Sequence, residues 1–355
     1  YDEVKAIQYF GQDLDPLWKE ETTALPELLD ISFQEYDEIA ERCRAFDREL
    51  TGESVEAGGE RYSQLLRLAY RQAIAAHTIC RDEVGQLLFI SKECFSNGCA
   101  ATADVSYPST PLFLLYRPEL VFAMMRPLMR YARSDAWKFD FAPHDAGTFP
   151  LLNGQAYGDR LESQMPVEEC GNLLLMTAAA TAASGDDSFA GEYWGLLTQW
   201  ASYLREKGLD PENQLCTDDF AGHLAHNCNL SIKAILGVAA YGFLLGRRGQ
   251  EADSAQWLQA ARDMAKTWVE KAANGDGTYR LAFDRPETFS MKYNAVWDRL
   301  LGLSVFPAGA WDRELASYLE RTGPYGMPLD NRANYTKSDW LVWVASMMER
   351  QDFEA

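Results

Sequence analysis

The chain has 355 residues, 47% of them hydrophobic and 12% aromatic, enough to bury one or two large cores. With 53 acidic against 33 basic side chains the formal net charge is -20, which argues against nucleic acid and anionic membrane surfaces, since both select Lys and Arg. Seven cysteines (Cys43, Cys80, Cys94, Cys99, Cys170, Cys216 and Cys228) form no CxxC pair, which excludes zinc-ribbon and thioredoxin motifs, and most read as buried packing residues rather than a disulfide framework.

The chain opens on Tyr1-Asp2-Glu3-Val4, without an initiating Met or a signal-like segment, and so reads as an excerpt or a processed product. Helical periodicity then dominates. Residues 32–50 and 62–80 predict a first helical pair, separated by the Gly-containing stretch 51–60. The short apolar run Leu87-Leu88-Phe89-Ile90 reads as a buried strand leading into Phe95-Ser96-Asn97-Gly98. A proline-punctuated stretch (Pro108, Pro111, Pro118) delivers a helix over 118–131. Further helices are predicted over 166–183, 188–207, 218–245, 252–273, 292–304, 311–321 and 337–348. Ten to twelve helices in antiparallel pairs, more apolar members alternating with more polar ones, fit an all-α (α/α)6 toroid spanning 1–355 as one domain. No uninterrupted apolar run reaches about 18 residues, so no membrane-spanning helix is expected. The loops 137–164 and 273–290 are long for a compact domain, as functional loops are.

Two acidic helix openings concentrate the chemistry. Thr217 is suited to cap a helix whose first turn holds Asp218 and Asp219, where free N–H groups favour ionised carboxylates. From Asp219, helical steps reach His223 and His226 on the same face. Asn227 and Asn229 add further polar groups to an otherwise apolar helix. Pro166 suits the first helical position of the second opening and puts Glu168 and Glu169 in its first turn, with Asn172 on the side of Glu168. One acid of each pair is explained by the helix terminus alone; the other is expected to serve a site. The loop Ala142-Pro143-His144-Asp145 adds a His-Asp dipeptide, and Arg332 and Lys337, amid Tyr and Trp, are suited to a substrate carboxylate. The histidine spacing is not HExxH and matches no zinc pattern, so no metal is expected. There is no P-loop, no GxGxxG after a strand and no GxSxG elbow, so phosphate, dinucleotide and α/β-hydrolase chemistry lack support, and no cofactor is expected.

Several long strings resemble those of the secreted fungal glutaminase A family and its bacterial relatives. They are Ile7-Gln8-Tyr9-Phe10-Gly11-Gln12, Phe95-Ser96-Asn97-Gly98, Ala142-Pro143-His144-Asp145, Met165 to Asn172, Leu215 to Asn227, and Tyr335-Thr336-Lys337-Ser338-Asp339-Trp340. The resemblance runs essentially from Tyr1 to Phe353. It implies a six-hairpin, glycosidase-like toroid that normally follows an N-terminal β-sandwich region of the same protein, missing here, and a secreted, periplasmic or cell-surface location. The activity it implies is hydrolysis of L-glutamine to glutamate and ammonia. Amide hydrolysis without a Ser or Cys triad or a metal requires a base, an oxyanion donor and an acid for the departing ammonia. Asp218 or Asp219 is then expected as base, and Glu168 or Glu169 as acid or as partner of the substrate amino group. His144, Asp145 and His223 shape the pocket, Asn97 or Asn227 donates to the oxyanion, and Arg332 or Lys337 holds the small-molecule substrate's carboxylate. Two other readings remain open: a glycoside hydrolase using paired carboxylates in the same toroid, and a non-catalytic binding module.

Overall fold

The computed structural model describes residues 5–93 and 97–349. Cys94 and the Phe95-Ser96 part of the motif expected to follow the first buried strand lie outside the described residues, as does Tyr1-Asp2-Glu3-Val4.

Strands β1 (Ile7–Tyr9) and β2 (Gln12–Leu14) form a hairpin, and α1 (Leu25–Gln34) leads into α2 (Tyr36–Ala75). The break expected within 51–60 narrows to Gly58 and Gly59, the two residues of α2 without helical backbone angles, where the chain reverses so that the two arms pack as a helical hairpin, with Phe46 meeting Tyr70 at 5.1 Å. Residues 51–57 contain no proline, and the Ser54 hydroxyl, bonded to Leu50 O and Ser63 Oγ, ties the two sides of the kink together. Strands β3 (His77–Arg81) and β4 (Leu87–Ser91) pair antiparallel; the second is the extended run expected at 87–90. After β5 (Cys99–Ala100) come α3 (Ala103–Tyr116), which holds Pro108 and Pro111 inside it, and α4 (Pro118–Ala132). The long loop that follows contains β6 (Gly147–Thr148) and β7 (Leu151–Leu152). Helices α5 (Pro166–Ser184), α6 (Ser188–Glu192), α7 (Trp194–Lys207), α8 (Cys228–Arg247), α9 (Glu251–Ala272), α10 (Val296–Leu300), α11 (Asp312–Arg321) and α12 (Ser338–Ala345) complete twelve α-helices among the described residues.

Burial sorts these helices into two layers. Residues Val167 to Thr181 of α5 and nearly all of α8 are buried, whereas α4, α7, α9 and α11 bury one face each. Helix α3 packs on α5 and α5 on α8, while α4, α7 and α9 pack behind them. The inner layer closes on itself through Tyr107 of α3, whose ring meets Trp297 of α10 and Trp340 and Trp343 of α12. The result is the all-α six-hairpin toroid expected from the helix alternation. By length and composition α8 could cross a membrane, but 94% of its apolar window is buried inside the protein, which marks it as the core helix of the ring.

The crossing of α5 and α8 depends on two glycines. A Cβ at Gly237 would stand 2.6 Å from Leu204 Cδ1 and 3.4 Å from Gly171 Cα, so the two backbones approach closely only because both positions lack side chains. Gly237→Ala is therefore expected to lower stability by about 1–3 kcal/mol through overpacking, despite the better helix propensity of Ala. The urea unfolding midpoint measures this, and an unchanged or raised midpoint would show that the crossing relaxes freely.

The strands position the loop before α5. They form one five-stranded sheet in the order β2-β1-β7-β6-β5, parallel between β1 and β7 and otherwise antiparallel, and a separate β3-β4 ribbon. Pairing of Ala100 with Gly147, together with the Ala103 N–H donated to His144 O at 2.8 Å, holds the His144-Asp145 dipeptide against the start of α3. Gly147 sits at φ 145°, and a Cβ there would be 2.2 Å from Leu151 O, so only glycine fits.

Next to this sheet, His77 stacks on Phe89 at 4.2 Å and its Nδ1–H donates to Ala73 O at 2.6 Å, leaving a buried Nε2 without a partner. Burial pushes its pKa down from 6.5 to about 4. The unfolded chain therefore protonates first as pH falls. Stability is full above pH 6.5 and is lost progressively down to about pH 4, by up to about 3 kcal/mol. Urea midpoints at pH 7 and pH 4 should converge in His77→Phe, which keeps the stacked ring; an undiminished pH difference would assign the effect to other groups.

Candidate active site

The inner helices bring their first turns to one end of the ring. Asp104 comes from α3, Glu168 and Glu169 from α5, Asn229 from α8, Tyr293 and Asn294 from the 3-10 turn Tyr293–Ala295 before α10, and Trp340 from α12. Backbone N–H groups at helix starts lack intrahelical acceptors and favour negative charge, so acids collect there. The side chains interlock across elements. Asn294 donates to Asn229 O at 3.0 Å, and the Tyr107 hydroxyl donates to Asn294 Oδ1 while accepting from Trp297 Nε1.

Segment 217–227 departs from expectation. No α-helix begins at Asp218. A single 3-10 turn, Asp219–Ala221, is followed by irregular chain, and α8 starts only at Cys228. Gly222 at φ 80° and His226 at φ 61° interrupt any helical path, and His226 N–H bonds instead to Pro211 O. The Thr217 hydroxyl donates to Asp104 O rather than capping a helix. His223 and His226 consequently do not share a helical face with Asp219. His223 is exposed and lines a cleft of about 420 Å³ with Gln164, Pro166 and Lys207. His226 is held by Asp210 through Nδ1 at 2.7 Å.

The other candidates sort by what already engages them. Asn227 is the true cap of α8: its Oδ1 accepts from Asn229 N and Leu230 N. Asn97 is exposed and its Oδ1 accepts from Cys99 N in a local turn. Arg332 is clamped by the Asp330 carboxylate and donates to Ala221 O at 2.9 Å, which fastens segment 217–227 in place. Lys337 lies 4.7 Å over the Trp340 ring and 3.7 Å from Asp339. Asp218 is buried and both its oxygens accept hydrogen bonds, from Trp340 Nε1 at 2.8 Å and from the Tyr293 hydroxyl at 2.7 Å. Burial raises its pKa, an effect that Lys337 and these two donors only partly offset. Asp219 is exposed. Beside Asp218, the small cavity it lines with Asn227, Asn229 and Arg332 has a volume of about 20 Å³, room for about one water.

The acids of α5 behave differently from each other. Glu168 forms an ion pair with Lys233 of α8, both fully buried, and Lys233 also donates to Asn172 Oδ1 at 2.7 Å and lies 3.9 Å over the Tyr107 ring. Glu169 accepts from Asn172 through Oε2 at 3.0 Å, while its Oε1 is buried without a partner. Burial, then the neighbouring Asp104 and Glu168 carboxylates, push its pKa well up.

His144 and Asp145 do come together with this group. His144 Nδ1–H donates to Asp145 Oδ2 at 2.9 Å, and Asp145 Oδ1 is fixed by Gly147 N and Ala156 N. On the other edge of the imidazole, Nε2 lies 3.5 Å from Asp104 Oδ1, which accepts no hydrogen bond. Burial pushes the Asp104 carboxyl up to about 6, with His144 opposing. For His144 burial lowers the pKa, but Asp104 and Asp145 outweigh it and the net shift is upward. One donor atom from each of Asp104, His144 and Glu169 lies within 4.8 Å of the other two, and the same holds for Cys99, His144 and Asp145; these are the described groups able to hold a metal. Tyr157 packs its ring on His144 at 4.1 Å, and burial, then Asp104 and Asp219, push its phenol up to about 12.

Asp104, Lys233, Tyr157 and Tyr293 are the site residues that the sequence reading passed over. Lys233 left a readable signal, as the single charge in the apolar run from Cys228 to Leu245. Asp104 follows Thr102 at a helix start, but the prolines at 108 and 111 obscured that helix.

The sequence also matches known proteins. The family model described as the glutaminase A six helical-hairpin domain matches residues 59–355. A protein named Glutaminase A from Aspergillus oryzae is 32% identical over 352 residues, 96% of this chain and 50% of its own length. One named Probable glutaminase from Arthroderma benhamiae is 26% identical, over 92% of this chain and 47% of its own length. The chain thus spans about half the length of the curated relatives it matches. It belongs to the glutaminase A six-helical-hairpin family.

Proposed function

We propose that the protein is a hydrolase of the glutaminase type, converting L-glutamine to glutamate and ammonia at the mouth of the toroid. The observation that carries this reading is the similarity to Glutaminase A across 96% of the chain, with the buried acids of the inner helices gathered at one end. Asp219 is the base: its carboxylate faces solvent and its charge reaches the Tyr157 phenol, whereas both oxygens of its neighbour Asp218 are occupied. Asp219 takes a proton from water as that oxygen adds to the side-chain amide carbon. It returns the proton to nitrogen as the C–N bond breaks and ammonia leaves. Tyr157, held protonated by burial, donates to the oxyanion, and Lys337 pairs with the substrate α-carboxylate. A β-sandwich region on the same polypeptide and an extracytoplasmic location belong to the same proposal.

The test is release of ammonia and glutamate from L-glutamine, with reducing-sugar release from a glycoside panel measured in parallel. The expected result is ammonia and glutamate in equal amounts and no sugar. Sugar release without ammonia would replace this reading with the glycosidase one, and saturable glutamine binding without turnover would indicate a binding module.

A further inference from the structure

We infer that Asp104, His144 and Glu169 form a binding site for one divalent transition-metal ion at the mouth of the toroid. All three side chains are at least nine-tenths buried, and one donor atom from each lies within 4.8 Å of the others. Two features point to a ligand rather than to a packed acidic cluster. Asp104 Oδ1 and Glu169 Oε1 are both buried and accept no hydrogen bond, an arrangement that is costly unless a ligand satisfies them. His144 is oriented as metal-binding histidines are, with Nδ1–H bonded to a carboxylate that is itself fixed by two backbone N–H groups, so that Nε2 faces the orphaned oxygens.

Charge supports the same conclusion. Asp104, Asp145, Glu168 and Glu169 gather here, and the neighbouring Lys233 is engaged by Glu168 and Asn172. A dication supplies the missing positive charge without a further side chain. One imidazole and two carboxylates suit Zn²⁺ or Mn²⁺, since imidazole favours the later transition metals and carboxylate the harder ions. The three ligands stand 40 and 25 positions apart in the chain, so no short spacing motif announces them.

The inference is independent of the glutamine reading, because metal binding is measured without substrate. The chelator-stripped full chain would be dialysed against Zn²⁺, Mn²⁺ or Ca²⁺ at neutral pH and its metal content determined by elemental analysis. The expected result is one Zn²⁺ or Mn²⁺ per chain and a raised thermal midpoint. Affinity should fall about tenfold or more in Asp104→Asn and in Glu169→Gln and be unchanged in Cys99→Ala. X-ray absorption of the Zn²⁺ form should show nitrogen and oxygen neighbours only. Absence of saturable uptake by the folded wild-type chain, uptake of Ca²⁺ alone, uptake indifferent to both carboxylate substitutions, or a sulfur neighbour that places the ion at Cys99 would each overturn the assignment. Should the two variants fail to fold, the absorption spectrum of the wild-type protein still decides.

Discussion

Asp219→Asn is expected to lower kcat for ammonia release by a factor of about 10²–10⁴, the usual worth of a positioned general base. Its folding stability should change by no more than about 0.5 kcal/mol, because Asp219 lies on an exposed 3-10 turn and anchors no other element. Asp218→Asn makes the informative contrast. An amide there can accept from only one of the two donors now bonded to it, Tyr293 and Trp340, and the stacked pair those residues form, 3.9 Å apart and nearly parallel, loses its fixed register. That variant should lose stability by about 1–3 kcal/mol, with its rate falling as a consequence of displaced neighbours. Thermal unfolding and steady-state kinetics on both proteins separate the two roles. Near wild-type turnover by Asp219→Asn, or loss of activity in Asp218→Asn with stability intact, would transfer the base to Asp218.

The same pair shows how far the sequence could be read. Helix alternation and the apolar runs in α5 and α8 announced the toroid, because a helix apolar on all sides must be surrounded by others. Pro166 placed Glu168 and Glu169 correctly in the first turn of α5. The same logic failed ten residues before α8. Thr217-Asp218-Asp219 has the composition of a helix start, but Asn227 is the residue that caps, and Gly222 and His226 take positive φ between them. Local capping chemistry names candidates and cannot choose between two that lie within one helical run; here the tertiary bonds of segment 217–227 to Pro211, Gln214 and Arg332 decide. Gly58 and Gly59, by contrast, do break α2, and the arms on either side fold back on each other as the Gly-containing stretch foretells. Pairings across the ring were invisible for another reason. Which partner Glu168 takes depends on how α5 and α8 cross, and that is set by the close approach of Gly171 and Gly237.

Lys233→Met is expected to destabilise the protein by about 3–5 kcal/mol, a large part of the stability of an ordinary domain. The Met side chain follows the path of the lysine stem, which packs so closely on α5 that a Cβ at Gly171 would lie 2.5 Å from Lys233 Cγ, so little is lost in packing. The loss is electrostatic. Glu168, 1% exposed, would lose its cation and be left beside Glu169 and Asp104 with only the Asn172 amide to bond it. Glu168→Gln should cost less, because Lys233 retains Asn172 Oδ1 and the face of Tyr107. The double variant Lys233→Met with Glu168→Gln should recover much of the single loss, since a buried ion pair replaced on both sides by neutral groups of similar shape leaves no charge stranded. Urea unfolding of the wild type and the three variants closes the cycle. A double variant no more stable than Lys233→Met alone would show that the cost lies in the packing of α5 against α8 rather than in the broken ion pair.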